Sequence, residues 1–214
     1  NPKDNTRDRF LMSKGHAGAG LYAILSKIGF ISEDILKTHY KDGSFLSGHV
    51  CHKIFPGIEF STGSLGHALP VSIGISLGLK LKGLKNRVYC LMSDGELDEG
   101  SNWEAFLSGA HNGLDNLIAI IDRNRLQSIE NTESTLMLEP LRDKFLSFNW
   151  DVEIIDGHNH QKLKKSLSKD IDKPKVIIAN TIKGKGVSFM ENKVLWHYRS
   201  PSTSELKNAI GEIN

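Results

Sequence analysis

Residues 91–99 read LMSDGELDE, and residues 120–127 read IIDRNRLQ. Each closes a short apolar run, RVYCLM at 87–92 and NLIAII at 116–121. Two more such runs follow, WDVEIID at 150–156 and KVIIANT at 175–181. Short, continuous, β-rich runs of this kind read as strands buried on both faces. Helical patterns lie between them. In 101–111, Trp103, Phe106, Leu107 and Ala110 recur at i, i+3, i+4 and i+7. Ser101 and Glu104 have the spacing of a capping box for that helix. Residues 65–82 form a Leu-, Ile- and Gly-rich helical segment, and 160–169 a surface helix with a basic face. Residues 127–145 read as a loop over the site. Residues 183–203 read as a Gly-containing loop before a final helix at 203–210. Strands alternating with helices predict an α/β fold, a parallel sheet flanked by helices on both faces, in a single domain over 1–214. In such sheets ligands bind beyond the carboxyl ends of the strands.

The 214-residue chain is 39% hydrophobic and 24% charged, with a net charge of +2, which fits one soluble core and makes no case for nucleic acid. No apolar stretch reaches membrane-spanning length, and no signal peptide is visible. The two cysteines, Cys51 and Cys90, lack metal-ligand spacing. Cys90 sits in an apolar run, so a buried thiol in a reducing compartment, the cytoplasm, is expected. The chain starts at Asn1 without Met, so an upstream segment is expected.

Asp94 and Asn124 both fall at the carboxyl ends of neighbouring predicted strands. Asp94 offers an anionic oxygen and Asn124 a neutral amide oxygen. The backbone carbonyl of Leu126 can face the same point. Three protein oxygens are few for calcium but suit Mg²⁺, which keeps water and phosphate oxygens among six ligands. Gly95 lets the backbone come close to a ligand, and the helix that follows points its N-terminus at the same region. The implied partner is a diphosphate, with a nucleotide or a sugar phosphate left open by the pattern. Taken alone, Asp-Gly after a strand is an ordinary turn.

The segment SDGELDEGSNWEA, followed by IIDRNRL, resembles the thiamine diphosphate motif, an acid-glycine pair followed after about 30 residues by Asn. The chain resembles the N-terminal, diphosphate-binding portion of transketolase, and most of all the split form in which that portion is a separate subunit. The resemblance covers nearly all 214 residues. It includes DRFLMSKGHAGAGLYAIL, FSTGSLGHA and TIKGKGVSFMENKVLWHYRSP.

The resemblance implies roles for several residues that are bland in isolation. His16, readable as a capping or buried histidine, would contact the cofactor diphosphate. His49, readable as an exposed loop histidine, would face the reaction centre and the donor sugar. Gly63, Ser64 and Leu65, readable as a helix start capped by Thr62 or Ser64, would pass the cofactor's central linker. Lys183 and His197 would approach the diphosphate or substrate. Gly95 and Glu96 would belong to the cofactor site, and Glu99 to a carboxylate relay at a subunit interface. His16, His49 and His197 are thus the candidate catalytic residues, and Asp94, Asn124 and Leu126 the metal ligands. Ser93 stands where the family has Gly, and His67 where it has Gln.

The implied cofactors are thiamine diphosphate and Mg²⁺. The implied reaction breaks the C2–C3 bond of a ketose phosphate and passes a two-carbon unit to an aldose. The pyrimidine-binding domain, with the carboxylate that activates the cofactor, is absent from this sequence. It is expected on a partner subunit, with self-association into a heterotetramer and an inactive isolated chain. The rival readings are the α subunit of a 2-oxo acid dehydrogenase and a scaffold subunit that has lost catalysis.

Overall fold

A computed structural model describes residues 1–213. The elements in chain order are β1 (Arg9–Met12), α1 (Gly18–Lys27), α2 (Glu33–Leu36), α3 (Ala68–Leu81), β2 (Val88–Ser93), α4 (Gly100–His111), β3 (Leu117–Arg123), α5 (Thr132–Thr135), α6 (Leu141–Ser147), β4 (Asp151–Asp156), α7 (His160–Ser168), β5 (Lys175–Asn180) and α8 (Thr203–Ile213). The five strands form one sheet in the order β1-β2-β3-β5-β4, and every neighbouring pair is parallel.

Strand alternation decides which helix lies on which face. Val88, Cys90 and Met92 of β2 share a face with Leu117, Ala119 and Ile121 of β3, and α3, α4 and α6 pack there through Leu69, Ile73, Phe106 and Phe145. Trp150 seals this core, its indole N–H donating to the carbonyl of Phe106 at 2.7 Å. The opposite face carries Ile118, Ile155 and Ile177, covered by Leu163 and Leu167 of α7. At the β1 edge of that same face, Met12 and Leu91 pack under α1 through Leu21, Tyr22 and Leu25. Helices on both faces of a parallel sheet are therefore observed as expected, and Cys90 is a free, fully buried thiol.

Four sequence expectations need correction. Arg9–Met12 is a fifth strand that the apolar runs did not reveal. The capping box does not form: α4 starts at Gly100 with no side-chain cap, and the Ser101 hydroxyl donates to the Gly66 carbonyl at 2.6 Å instead. Residues 127–145 are not one loop, because α5 and most of α6 lie within them. The last helix is longer than 203–210, and continues to Ile213.

Candidate active site

The register of β2 against β3 pairs Ser93 with Asp122. The chains beyond these two residues therefore leave the sheet side by side, and Asp94 and Asn124 come to wall one cavity of about 520 Å³. All five strands aim their carboxyl ends at it: Lys14 follows β1, Asp94 follows β2, Asn124 follows β3, His158 follows β4 and Thr181 follows β5.

One wall is built around Asp94, which is 1% exposed. Its Oδ1 accepts the Gly95 N–H at 2.9 Å, and its Oδ2 accepts the Arg125 N–H at 2.6 Å and Arg123 Nη1 at 3.3 Å. Arg125 reaches that oxygen only by taking a left-handed backbone, φ 65°, which costs a non-glycine residue about 1–2 kcal/mol. Burial raises the Asp94 pKa, and the Arg125 amide and the Arg123 charge offset part of that rise. Asn124 Oδ1 accepts the Leu126 N–H at 2.9 Å in an Asx-type turn. Glu96 is fully buried and gathers three donors, the Ser13 hydroxyl, Gly66 N–H at 3.0 Å and Ser93 N–H at 3.3 Å. It ties the ends of β1 and β2 to the turn before α3.

The facing wall is cationic. His16, Lys183 and His197 line it, and the His16 and His197 rings lie 5.3 Å apart. His16 keeps one side open to solvent. Packing of the walls around its ring, then the charges of His197, Lys14, His49 and Lys183, lower its pKa from 6.5 to about 4. His197 is lowered by burial and then by Lys183. Lys183 is lowered by burial and then by Lys14, with Asp122 opposing. Lys14 is ion-paired to Asp122, which also accepts the Thr181 hydroxyl. Burial alone would raise Asp122, but the Lys14 charge and these bonds hold it below the usual carboxylate range.

Of the residues singled out from sequence, His16, Leu65, Asp94, Gly95, Glu96, Asn124, Leu126, Lys183 and His197 wall this cavity. His49, Gly63, Ser64 and Glu99 are not among its walls. His49 and Glu99 are exposed, and the His49 ring lies 3.5 Å from where a Cβ on Gly63 would stand. Gly95 is also constrained by its neighbour Gln127, since a Cβ there would stand 2.8 Å from that side chain. Lys14, Asp122 and His158 were missed. Lys14 and Asp122 lie inside the quoted motifs, so their positions two residues from His16 and Asn124 were available signals. His158 accepts the Ile182 N–H through Nε2 at 2.7 Å and had no such signal.

Over residues 1–209 the sequence matches the family described as the thiamine diphosphate binding domain of transketolase. The chain belongs to that family. It is 43% identical to one chain of the apulose-4-phosphate transketolase of Phocaeicola vulgatus, a match covering 100% of this chain and 76% of that protein. It is 38% identical to the 6-deoxy-6-sulfo-D-fructose transketolase subunit SqwG of a Clostridium species, over 100% of this chain and 78% of that one. The solved transketolase of Campylobacter jejuni superposes with a TM-score of 0.92 at 30% identity, over 100% of this chain and 35% of its own. This transketolase domain thus spans about three quarters of the two subunit relatives but about a third of the solved enzyme. The α/β fold, the transketolase relationship, the transferase class and thiamine diphosphate as cofactor all stand as the sequence implied. A 2-oxo acid dehydrogenase is not favoured, since the relatives are transketolases.

The residues present fit that cofactor. On one wall burial first, and then neighbouring positive charge, lowers the protonation of His16, His197 and Lys183, and a diphosphate there would favour their charged forms. A carboxylate has about four acceptor sites. Gly95, Arg125 and Arg123 occupy three of those on Asp94, which leaves one for a metal ion. Among the described residues no helix is long and apolar enough to cross a membrane.

Proposed function

We propose that this chain is the diphosphate-binding subunit of a two-chain, Mg²⁺-dependent transketolase acting on sugar phosphates. The reading rests on one observation: a single cavity at five parallel strand ends has Asp94, Asn124 and Leu126 on one wall and His16, Lys183 and His197 on another. Asp94, Asn124 and the Leu126 carbonyl would hold Mg²⁺, a hard ion suited to three protein oxygens plus phosphate and water. Lys183 would meet the diphosphate as a point charge. Bound thiamine diphosphate supplies an electron sink for breaking the ketose C2–C3 bond.

The chain's own residues then hold and move protons. Burial and the charges around it lower His16 to about 4, so its ring is neutral and can accept a proton or a hydroxyl hydrogen bond at neutral pH. His197, set against it, can donate to a substrate hydroxyl while His16 accepts. His49, exposed beside Gly63, would bind the donor sugar from the mouth of the site. Gly63, Ser64 and Leu65 would flank the cofactor's middle, Glu96 would hold that turn in place, and Glu99 would face the partner. The partner is a pyrimidine-binding subunit that brings the activating carboxylate. Each chain type pairs with its own copy to give a heterotetramer, and the setting is the cytoplasm.

The test is to purify the chain with its partner from the source cell and assay ketose phosphate turnover. Activity should need both chains, thiamine diphosphate and Mg²⁺, and the isolated chain should be inactive. Turnover of 2-oxo acids, or no cofactor binding by the complex, overturns the reading.

A further inference from the structure

We propose that Arg123 is a positioning residue that selects which oxygen of Asp94 meets the metal ion. The proposal rests on the reading of Asp94 as a metal ligand. Arg123 ends β3 and is 2% exposed, on the face packed by α3, α4 and α6. The Ser93–Asp122 register brings it abreast of Asp94. Its Nη1 donates to Asp94 Oδ2 at 3.3 Å and to the Thr132 hydroxyl at 2.7 Å, and its Nη2 donates to Glu133 at 2.6 Å and Glu139 at 3.0 Å.

Two features separate positioning from simple reinforcement. The first is the share of bonds on the Asp94 carboxylate. Oδ2 takes both Arg123 and the 2.6 Å Arg125 amide, whereas Oδ1 takes only the Gly95 amide. Arg123 therefore saturates one oxygen and leaves the other with spare capacity. The carboxylate is pinned as a one-oxygen ligand with a fixed orientation, the kind of outer contact on which metal affinity depends. The second is the weak return of a buried ion pair in stability, because desolvation offsets much of the Coulomb gain. A guanidinium this deeply buried, whose Nε has no hydrogen-bond partner among the described residues, is a poor choice for stability alone. Its fork geometry is what the arrangement uses: one arm on Asp94, the other on the α5 to α6 segment that packs beside the site.

The experiment follows thiamine diphosphate binding to the full chain with its partner subunit while Mg²⁺ is varied, by calorimetry without substrate. Arg123→Met should raise the Mg²⁺ concentration at half-saturation by about 10–100-fold. Arg123→Lys, which keeps a charge but not the fork, should fall between. Glu133→Gln with Glu139→Gln cuts the outer arm only, and should lower the melting temperature without moving the Mg²⁺ requirement. If Arg123→Met fails to fold, Arg123→Lys and the double variant carry the comparison. An unchanged Mg²⁺ requirement in Arg123→Lys and Arg123→Met, or an equal rise in the double variant, overturns the proposal. Absence of binding in the unmodified complex at any Mg²⁺ concentration instead overturns the metal-site reading beneath it.

Discussion

The rings of His16 and His197 face each other at 5.3 Å between centroids, tilted by 44°, on the cationic side of the cavity. Burial, then the charges of His197 and its neighbours, disfavours a proton on His16, and burial, then Lys183, disfavours one on His197. The unfolded chain protonates the His16 ring near 6.5 and the folded chain only near 4. Between those values the unfolded state holds more protons, so stability rises with pH there and is lost as pH falls from about 6.5 toward 4. Ring NMR should find His16 titrating near 4 in the free protein and markedly higher with inorganic pyrophosphate bound. A titration that pyrophosphate leaves in place would remove the anion-site assignment.

Lys183 should carry a measurable share of diphosphate affinity. A charge-assisted contact is worth about 1.5–3 kcal/mol, so Lys183→Met should weaken pyrophosphate binding about 10–100-fold. The same change removes the charge that, after burial, depresses His197, so the His197 ring should titrate at higher pH in the variant. Calorimetry and ring NMR read the two effects separately.

Asn124 and Asp94 should part company in their effects. Asn124→Ala removes one amide oxygen whose only partner among the described residues is the Leu126 N–H, so Mg²⁺-dependent cofactor binding should fall while urea stability changes little. Asp94→Ala leaves the Arg123 guanidinium short of a buried partner, a loss of about 3–5 kcal/mol for a buried pair. Glu133 and Glu139 still engage its other arm, so the lower end of that range is expected. Equal stability losses in the two variants would contradict the arrangement.

Arg125 is held at φ 65° so that its amide reaches Asp94. Arg125→Gly relieves about 1–2 kcal/mol of left-handed strain and adds about 0.5–1 kcal/mol of unfolded-state entropy. The net change should lie within about 1 kcal/mol, while Arg125→Val, with a β-branched side chain, should destabilise by more than that. Denaturant midpoints of the two variants decide it.

Four strands were legible as short apolar runs, although β4 departs from the burial on both faces that such a run implies: it is an edge strand, and its Ile154 is half exposed. The other edge strand, Arg9–Met12, was not legible: it has four residues, and only Leu11 and Met12 are buried. Helix α6 hides for a similar reason, since it offers only Leu141 and Phe145 as buried residues over two turns. Ser101 and Glu104 had the right spacing for a cap, but a one-turn helix at Gly95–Asp98 precedes α4 and the turn at Gly66 takes the Ser101 hydroxyl. The proposed metal ligands and most of the cationic wall could be named because they sit within motifs. Arg123 was hidden in plain text: a charged residue at a strand end looks solvated until Asp94, Glu133 and Glu139 are seen to close around it.

The walls of the cavity are drawn from Lys14 through His197, almost the length of the chain. Unfolding that separates these segments takes the pocket apart, so whatever fills it favours the assembled sheet, by RT ln(1 + [L]/Kd). Bound thiamine diphosphate would therefore make this polypeptide harder to unfold and so harder for proteases to cut.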